Sequence, residues 1–219
     1  MKTLNIACLH GIGTSRARQA TYALRWQVAM RDALSESAIG HRRRGEPVPE
    51  VDVHCRGMSW DSTGNAAEDI ARIVADKRFR EAQLDCVEEQ LRNGLAGVDL
   101  IVTHSLGCSL IMPVLSRLQA LDAKPMLFGI GGPHSHPIWG RALSWVGLRH
   151  SASPYWDRRR PIHFWNQDDM VCSLGTAYSA PPGWTSTRIG HPGEGVFAQE
   201  HVDLFYLTST LFIEQLEAL

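Results

Sequence analysis

Short apolar runs alternate along this chain with longer segments whose apolar residues recur every three or four positions. The short runs predict six strands, centred near Leu4, Val51, Leu100, Met126, Ile162 and Thr185. The longer segments predict helices, and the first of them has one apolar face formed by Tyr22, Trp26, Met30 and Ala33. Strands that alternate with helices pair into a parallel sheet that helices cover on both faces. The pattern therefore predicts an α/β fold, and the length of 219 residues fits a single domain spanning 1–219.

Local signals give the expected ends of several helices. We expect the first helix to stop at Gly40, with a loop over 41–49, because glycine is common just past a helix C-terminus. The next helical region should end at Gly94 and break where charged residues 76–80 interrupt its apolar face. Residues 200–219 have the pattern of one closing amphipathic helix.

The stretch Asp99–Gly107 carries the candidate chemistry. A short apolar run ends there at a His-Ser-x-Gly corner and passes at once into a helix-compatible segment. A strand that turns sharply into a helix with serine at the apex is a nucleophile elbow, and it points the hydroxyl of Ser105 out of the sheet. The crowded corner needs small neighbours, which explains Gly107. Thr103 occupies the position where the full pattern has a first glycine.

Acyl transfer at a serine needs backbone donors that stabilise the oxyanion of the tetrahedral intermediate. The N–H of Leu106, directly after the serine, is one expected donor. The second is expected from the turn after the first strand, at Ile12, because Gly11 and Gly13 let that backbone come close. His10 is expected to anchor this turn rather than to act as a base.

These motifs are similar to those of the α/β-hydrolase superfamily, in particular its small serine esterases and lipase-like members. The similarity rests on Leu9–Gly13, on the serine corner, and on an acid followed by a histidine near the end of the chain. It implies a minimal, mostly parallel six-stranded version of the fold. It also implies a small lid or cap in the segment 134–160, where the family inserts such elements.

The family order of serine, acid and histidine points to the other catalytic residues. The acid loop of the family has Asp, any residue, then Val or Ile, which selects Asp169 over its neighbour Asp168. The family base lies before the last helix, which favours His201 over His191. The resemblance thus implies a triad of Ser105, Asp169 and His201.

The segment 134–160 is rich in aromatic residues, and its centre has helical periodicity. Residues 138, 142, 145 and 146 share one apolar face. Such a face beside a catalytic cleft can pack down as a wall of an acyl pocket or stay exposed as an interfacial lid. We expect the pocket wall, with Trp139 and Trp145 setting the preference for acyl chain length.

Composition narrows the function classes. A net charge of −1 argues against nucleic acid as a partner. Five scattered cysteines without a Cys-x-x-Cys pair suggest neither a zinc site nor a disulfide framework, and they fit a cytoplasmic protein. The sequence has neither a signal peptide pattern nor an apolar stretch of transmembrane length. The oligomeric state is not encoded in any pattern that we find.

The sequence therefore predicts a metal-independent serine hydrolase without a cofactor, acting on a small-molecule carboxylic ester or thioester. Two alternatives use the same residues: an acyltransferase with the same triad, and a non-catalytic binding protein with a decayed site, for which Thr103 is the supporting feature. Two other motifs are weak. Gly11-Ile12-Gly13 lacks the third glycine of a dinucleotide loop, and His134-Ser135-His136 lacks a carboxylate partner for a metal.

Overall fold

The computed structural model describes residues 1–11, 19–63, 65–94, 96–118, 125–148, 160–166, 169, 171–172, 183–190 and 203–219. Its centre is a sheet of six parallel strands in the order β2-β1-β3-β4-β5-β6. The strands are β1 (Lys2–Leu9), β2 (Val51–Met58), β3 (Leu100–His104), β4 (Met126–Ile130), β5 (Ile162–Trp165) and β6 (Thr185–Arg188). The predicted six-stranded sheet is confirmed, and all of its pairings are parallel.

Helices cover both faces of this sheet. Within the described residues they are α1 (Gln19–Arg44), α2 (Ala66–Ala75), α3 (Lys77–Gly94), α4 (Gly107–Arg117), α5 (Trp139–Trp145), α6 (Asp203–Leu207) and α7 (Thr210–Glu217), and a 3₁₀ turn covers Pro133–Ser135. Apolar residues of α1, α6 and α7 form one core with the sheet, and those of α2 to α5 form a second core on the other face.

Strand β3 is buried on both faces of the sheet, which explains why its apolar residues do not alternate with polar ones. Ile101 contributes to the core beneath α2 to α5, whereas Leu100 and Val102 contribute to the core beneath α1, α6 and α7. All five residues of β3 are buried. Each large aliphatic side chain buried in this way contributes about 1.5–3 kcal/mol, so the strand that leads to Ser105 is firmly fixed.

The prediction that α1 ends at Gly40 is wrong, because the helix continues to Arg44 and ends before Gly45, whose φ is +70°. Contacts with distant elements hold the extra turn. The His41 ring lies 2.9 Å from Glu46 and 3.4 Å from Glu217 at the end of α7. Contacts that the sequence pattern does not reveal therefore extend the helix past the glycine at which it was expected to end.

The predicted break within 76–80 is confirmed, since α2 ends at Ala75 and α3 begins at Lys77. Asp76 Oδ1 accepts a hydrogen bond of 3.0 Å from the backbone N–H of Phe79 and so caps α3. Arg80 donates to the carbonyl oxygen of Ile73 at 2.7 Å, which satisfies the end of α2.

The prediction of one closing helix over 200–219 is wrong for the part that the structure describes. The segment is split into α6 and α7, with Thr208 and Ser209 between them. Ser209 has extended backbone angles, and its hydroxyl accepts a hydrogen bond of 3.4 Å from the Phe212 N–H, which starts α7 anew. Residues 200–202 lie outside the described residues.

Candidate active site

Ser105 occupies a sharp corner between β3 and α4. Its φ is +54°, and it is the one non-glycine residue with a positive φ in the described part of the chain. A left-handed conformation costs an ordinary residue roughly 1–2 kcal/mol, and such strain concentrates at functional sites. The Ser105 N–H donates to the carbonyl oxygen of Ile130 at 3.0 Å, which ties the corner to the end of β4. This is the geometry expected of a nucleophile elbow.

Two glycines let neighbouring backbone pack against the corner. A Cβ on Gly11 would lie 2.5 Å from Ser105 Cβ and 2.7 Å from the backbone nitrogen of Leu106. A Cβ on Gly107 would lie 2.7 Å from the carbonyl oxygen of Leu9. Neither clash can be relieved by a side-chain rotation, since backbone atoms are involved. The turn after β1 is thus pressed directly onto the serine, as the sequence predicted.

Thr103, which departs from the full glycine pattern, is accommodated by its surroundings. Its hydroxyl lies 3.3 Å from the sulfur of Cys108 and 3.4 Å from the carbonyl oxygen of Phe128, so the polar group is satisfied in the core. Its partner in the sheet register is Gly129 on β4. A side chain on Gly129 would collide with His163 and Trp184, and glycine at this position makes room for them.

Asp169 lies just beyond β5 and is fully buried. Its Oδ1 accepts hydrogen bonds from the backbone N–H groups of Val171 at 2.8 Å and Cys172 at 3.1 Å. Its Oδ2 accepts a hydrogen bond of 2.5 Å from the hydroxyl of Tyr206 on α6. Because β3, β4 and β5 are adjacent and parallel, Asp169 and Ser105 lie at the same edge of the sheet.

A second buried carboxylate, which sequence reasoning missed, lies at the start of α6. Asp203 Oδ2 accepts a hydrogen bond of 2.5 Å from the Trp26 indole and lies 3.6 Å from His10 Nε2, while Oδ1 lies 3.3 Å from Arg25. Burial alone would raise the pKa of Asp203, but the interactions with His10, His104 and Trp26 outweigh burial and lower that pKa.

The only sequence signal for this contact was the polar character of Asp203 within an amphipathic helix. Its partner Trp26 was identified solely as part of the apolar face of α1. The contact joins residues 177 positions apart, which no local pattern could pair. Asp203 and its partners lie beside the His10–Gly11 turn that packs on Ser105.

Cys108, His134 and His163 form the one group of potential metal ligands found among the described residues, with ligand atoms within 4.8 Å of one another. Their hydrogen bonds do not suit a metal. The Gly132 N–H donates to His163 Nε2 at 3.0 Å, which occupies a lone pair that a metal would need. Burial raises the pKa of Cys108 to about 12 and, with His134, lowers the pKa of His163 well below its usual value. Cys108 and His163 are therefore held in their neutral forms, and the His134 ring packs edge-on against His163.

The segment after β4 differs from the expected pocket wall. The backbone N–H groups of Ile138 and Trp139 donate to His136 Nδ1 at 3.2 and 3.1 Å, which starts α5, and the His136 ring stacks on Trp139. Trp139 packs on the core, but Trp145 is 92% exposed and Ile138 is 61% exposed. The expectation that Trp145 lines a pocket is therefore wrong in this structure.

Several predicted site residues, namely Ile12, Asp168, His191 and His201, lie outside the described residues. The structure places Ser105, Leu106 and Asp169 at one edge of the sheet, and the catalytic role of every predicted site residue stays a prediction.

The strand order and the serine corner after β3 define the α/β-hydrolase fold, as the sequence motifs predicted. The ydeN gene product of B. subtilis has a similar solved structure, with a TM-score of 0.50 and 12% identity over 98% of this chain and 97% of that one. An esterase domain from a Rhodothermus marinus protein matches with a TM-score of 0.44 and 15% identity, over 98% and 84% of the two chains. RedJ, solved with a PEG molecule bound in its active site, matches with a TM-score of 0.43 and 18% identity, over 98% of this chain and 91% of RedJ.

No protein-family model matches the sequence, and no curated protein sequence matches it. Among the described residues, no helix combines the length and the apolar character that crossing a bilayer requires.

Proposed function

We propose that this protein is a serine hydrolase that cleaves a carboxylic ester or thioester through an acyl-enzyme on Ser105. The observation that carries the proposal is the strained, positive φ of Ser105 at the corner between β3 and α4. A fold hosts many functions, so the argument depends on this corner and its neighbours rather than on the fold alone.

The surroundings of Ser105 support an oxyanion site. Leu106 caps the N-terminus of α4, where the helix leaves its first N–H groups without internal partners and has a partial positive charge. The His10–Gly11 turn lies so close to this N–H that a Cβ on Gly11 would fall 2.7 Å from the Leu106 nitrogen. This closeness supports the proposal that Ile12, the next residue, supplies the second donor. Together these donors would hold the negative oxygen of the tetrahedral intermediate.

Position and chemistry support the rest of the proposed triad. Asp169 is buried, held by three hydrogen bonds, and lies at the same sheet edge as Ser105. His201 stands two residues before Asp203, whose side chain lies 3.6 Å from the ring of His10 next to the serine corner. His201 would take the proton of the Ser105 hydroxyl as the oxygen attacks the acyl carbon, and it would then protonate the departing alcohol or thiol. Water would release the acid by the same steps in reverse.

The rival hypothesis of a decayed, non-catalytic site loses its supporting feature. Thr103 is packed and hydrogen-bonded beside Gly129, so its presence is no sign of a damaged elbow. Transfer of the acyl group to an acceptor other than water remains compatible with the same triad, and product analysis in the presence of added alcohols or amines would detect it.

The test is labelling by a fluorophosphonate probe and turnover of p-nitrophenyl esters of graded chain length. The wild type should be labelled once per chain, and Ser105→Ala should lose both labelling and a factor of about 10⁴–10⁶ in kcat. Thr103→Ser is the matched control, because it retains the hydroxyl beside Cys108 and should stay active. Near-normal turnover by Ser105→Ala would refute the proposal.

The base is tested separately with two histidine variants. His201→Ala should be as damaging as the loss of Ser105, whereas His191→Ala should be mild. The opposite ranking would assign the base to His191. If both variants retain activity, neither late histidine is the base, and the His10–Asp203 pair beside the corner becomes the next candidate to test.

A further inference from the structure

Helix α6 directs two polar side chains into the site region from one face. Asp203 and Tyr206 are three residues apart, so they lie on the same side of the helix. Asp203 contacts His10 and Trp26, whereas the hydroxyl of Tyr206 donates to Asp169. Tyr206 is fully buried in the core beneath α1, α6 and α7.

We propose that Tyr206 is a positioning residue for the hydrolase reaction, whose hydroxyl fixes the orientation of Asp169 and withdraws part of its negative charge. The inference rests on the proposed function, in which Asp169 orients the catalytic histidine. A carboxylate offers about four acceptor positions. The backbone N–H groups of Val171 and Cys172 donate to Oδ1, and the Tyr206 hydroxyl donates to Oδ2, so both carboxylate oxygens are held.

The direction of the Tyr206 hydrogen bond is unambiguous. Burial raises the pKa of Tyr206 well above its usual value, and the neighbouring Asp169 adds to the effect. The phenol therefore remains protonated and donates, while the carboxylate accepts. A bond of 2.5 Å to a buried carboxylate is of the strong, charge-assisted kind.

The other titratable groups that act on Asp169 do not reproduce this effect. Burial, together with the negative charge of Asp169, raises the pKa of Cys172 well above its usual value, so this thiol stays neutral. Burial lowers the pKa of His136 despite the opposing influence of Asp169, so this ring is largely neutral above pH 7. The Tyr206 hydroxyl is therefore a neutral side-chain donor that acts directly on the charge of Asp169.

Electrostatics gives the direction in which removing the Tyr206 hydroxyl should shift the pH–rate profile. A donor that spreads the negative charge of Asp169 makes the carboxylate a weaker stabiliser of the imidazolium. Removing that donor should stabilise the imidazolium and move the acidic limb of the pH–rate profile upward. The catalytic histidine would then be protonated, and inactive as a base, at a higher pH than in the wild type.

Tyr206→Phe tests this, because it keeps the ring in the core and removes only the donor. We expect the midpoint of the acidic limb of kcat/KM for a p-nitrophenyl ester to rise by about half a pH unit to one unit. We expect kcat at pH 7 to fall roughly threefold to tenfold. In an Asp169→Asn background the same change should have no further effect, since the two residues act through one contact.

Tyr22→Phe is the matched control. Its hydroxyl is also buried, but it bonds to the backbone oxygens of Cys8 and Met58. Tyr22→Phe should lower the melting temperature about as much as Tyr206→Phe does, and it should leave the midpoint of the acidic limb of kcat/KM unchanged. An unchanged midpoint in Tyr206→Phe, or a uniform loss of activity at every pH, would overturn the positioning role. A wild type that neither reacts with the fluorophosphonate nor hydrolyses esters would instead overturn the proposed function, and the positioning role with it.

Discussion

The two buried carboxylates beside the serine corner have opposite surroundings. Asp203 is matched by groups that carry or can carry positive charge, Arg25 and His10, together with the indole of Trp26. Asp169, by contrast, accepts hydrogen bonds from two backbone N–H groups and from the hydroxyl of Tyr206.

This difference supports the proposal that Asp169 is the triad acid and that Asp203 anchors the His10–Gly11 turn. The side chain of Asp203 already pairs with the Arg25 guanidinium and bonds to the Trp26 indole. Asp169 is held in a fixed orientation by its hydrogen bonds, as a triad acid requires.

The largest expected effect is on the Asp169 side. Asp169→Asn should lower kcat by about 10³–10⁴ while the melting temperature changes little, because the amide keeps the shape but not the charge. Asp168→Asn is the control and should be mild. Steady-state kinetics and thermal melting of the wild type, Asp169→Asn and Asp168→Asn test this prediction. Equal losses in both variants would remove the distinction between the two neighbours.

The two regions meet at Gly11, which follows His10 and touches Ser105. Gly11→Ala should reduce kcat/KM about 100-fold and destabilise the fold by about 1–3 kcal/mol, because its Cβ would overlap backbone atoms of the corner. Gly40→Ala is the same chemical change within α1, where only the flexible Arg44 side chain is near. It should stabilise by about 0.5–1 kcal/mol. A Gly11→Ala enzyme of normal activity would show that the turn does not shape the site.

On the Asp203 side the main loss should be stability. Asp203→Asn should cost about 2–4 kcal/mol, because it leaves buried donors facing a neutral amide, with less than a tenfold change in kcat. Asp52→Asn breaks the exposed pair with Arg31 and should cost well under 1 kcal/mol. A loss of activity comparable to that of Asp169→Asn, in a folded protein, would contradict the anchoring role.

The stability effect of Asp203→Asn should depend on pH. The pKa of Asp203 is lowered in the folded protein, so its contribution to stability is fully present well above the unfolded value of about 3.9 and is lost as the pH falls below it. The gap in melting temperature between the wild type and Asp203→Asn should thus stay constant from pH 7 to 5 and narrow below pH 4. A gap that persists unchanged at pH 3 would show that the charge of Asp203 contributes nothing.

The smallest effect is expected away from both carboxylates. Trp145→Ala should change stability by less than about 0.5 kcal/mol, because the side chain is 92% exposed. Trp139→Ala should cost about 2–3 kcal/mol, because that ring packs on the core and stacks on His136. If Trp145→Ala selectively loses activity on long-chain or micellar esters, the exposed ring contacts the substrate and the lid interpretation of 134–160 gains support.

By itself the sequence determined the six parallel strands, the break at Asp76 and the corner at Ser105. These features follow from interactions over a few residues: apolar periodicity, helix capping and the small neighbours that a strained turn requires. The positions of Ser105, Leu106 and Asp169 at one sheet edge follow in turn from the parallel order of the strands.

Only the tertiary structure decided which carboxylate is anchored, where α1 ends and which tryptophan is exposed. The hydrogen-bonded pairs concerned are far apart in sequence. Asp203 and Trp26 are separated by 177 positions, Asp169 and Tyr206 by 37, and His41 and Glu217 by 176. The physical reason is that a buried polar group must be satisfied by whatever donor the packed elements bring near, and packing joins residues with no relation along the chain. Local pattern predicts the elements, whereas the partners of buried charges depend on how those elements pack together.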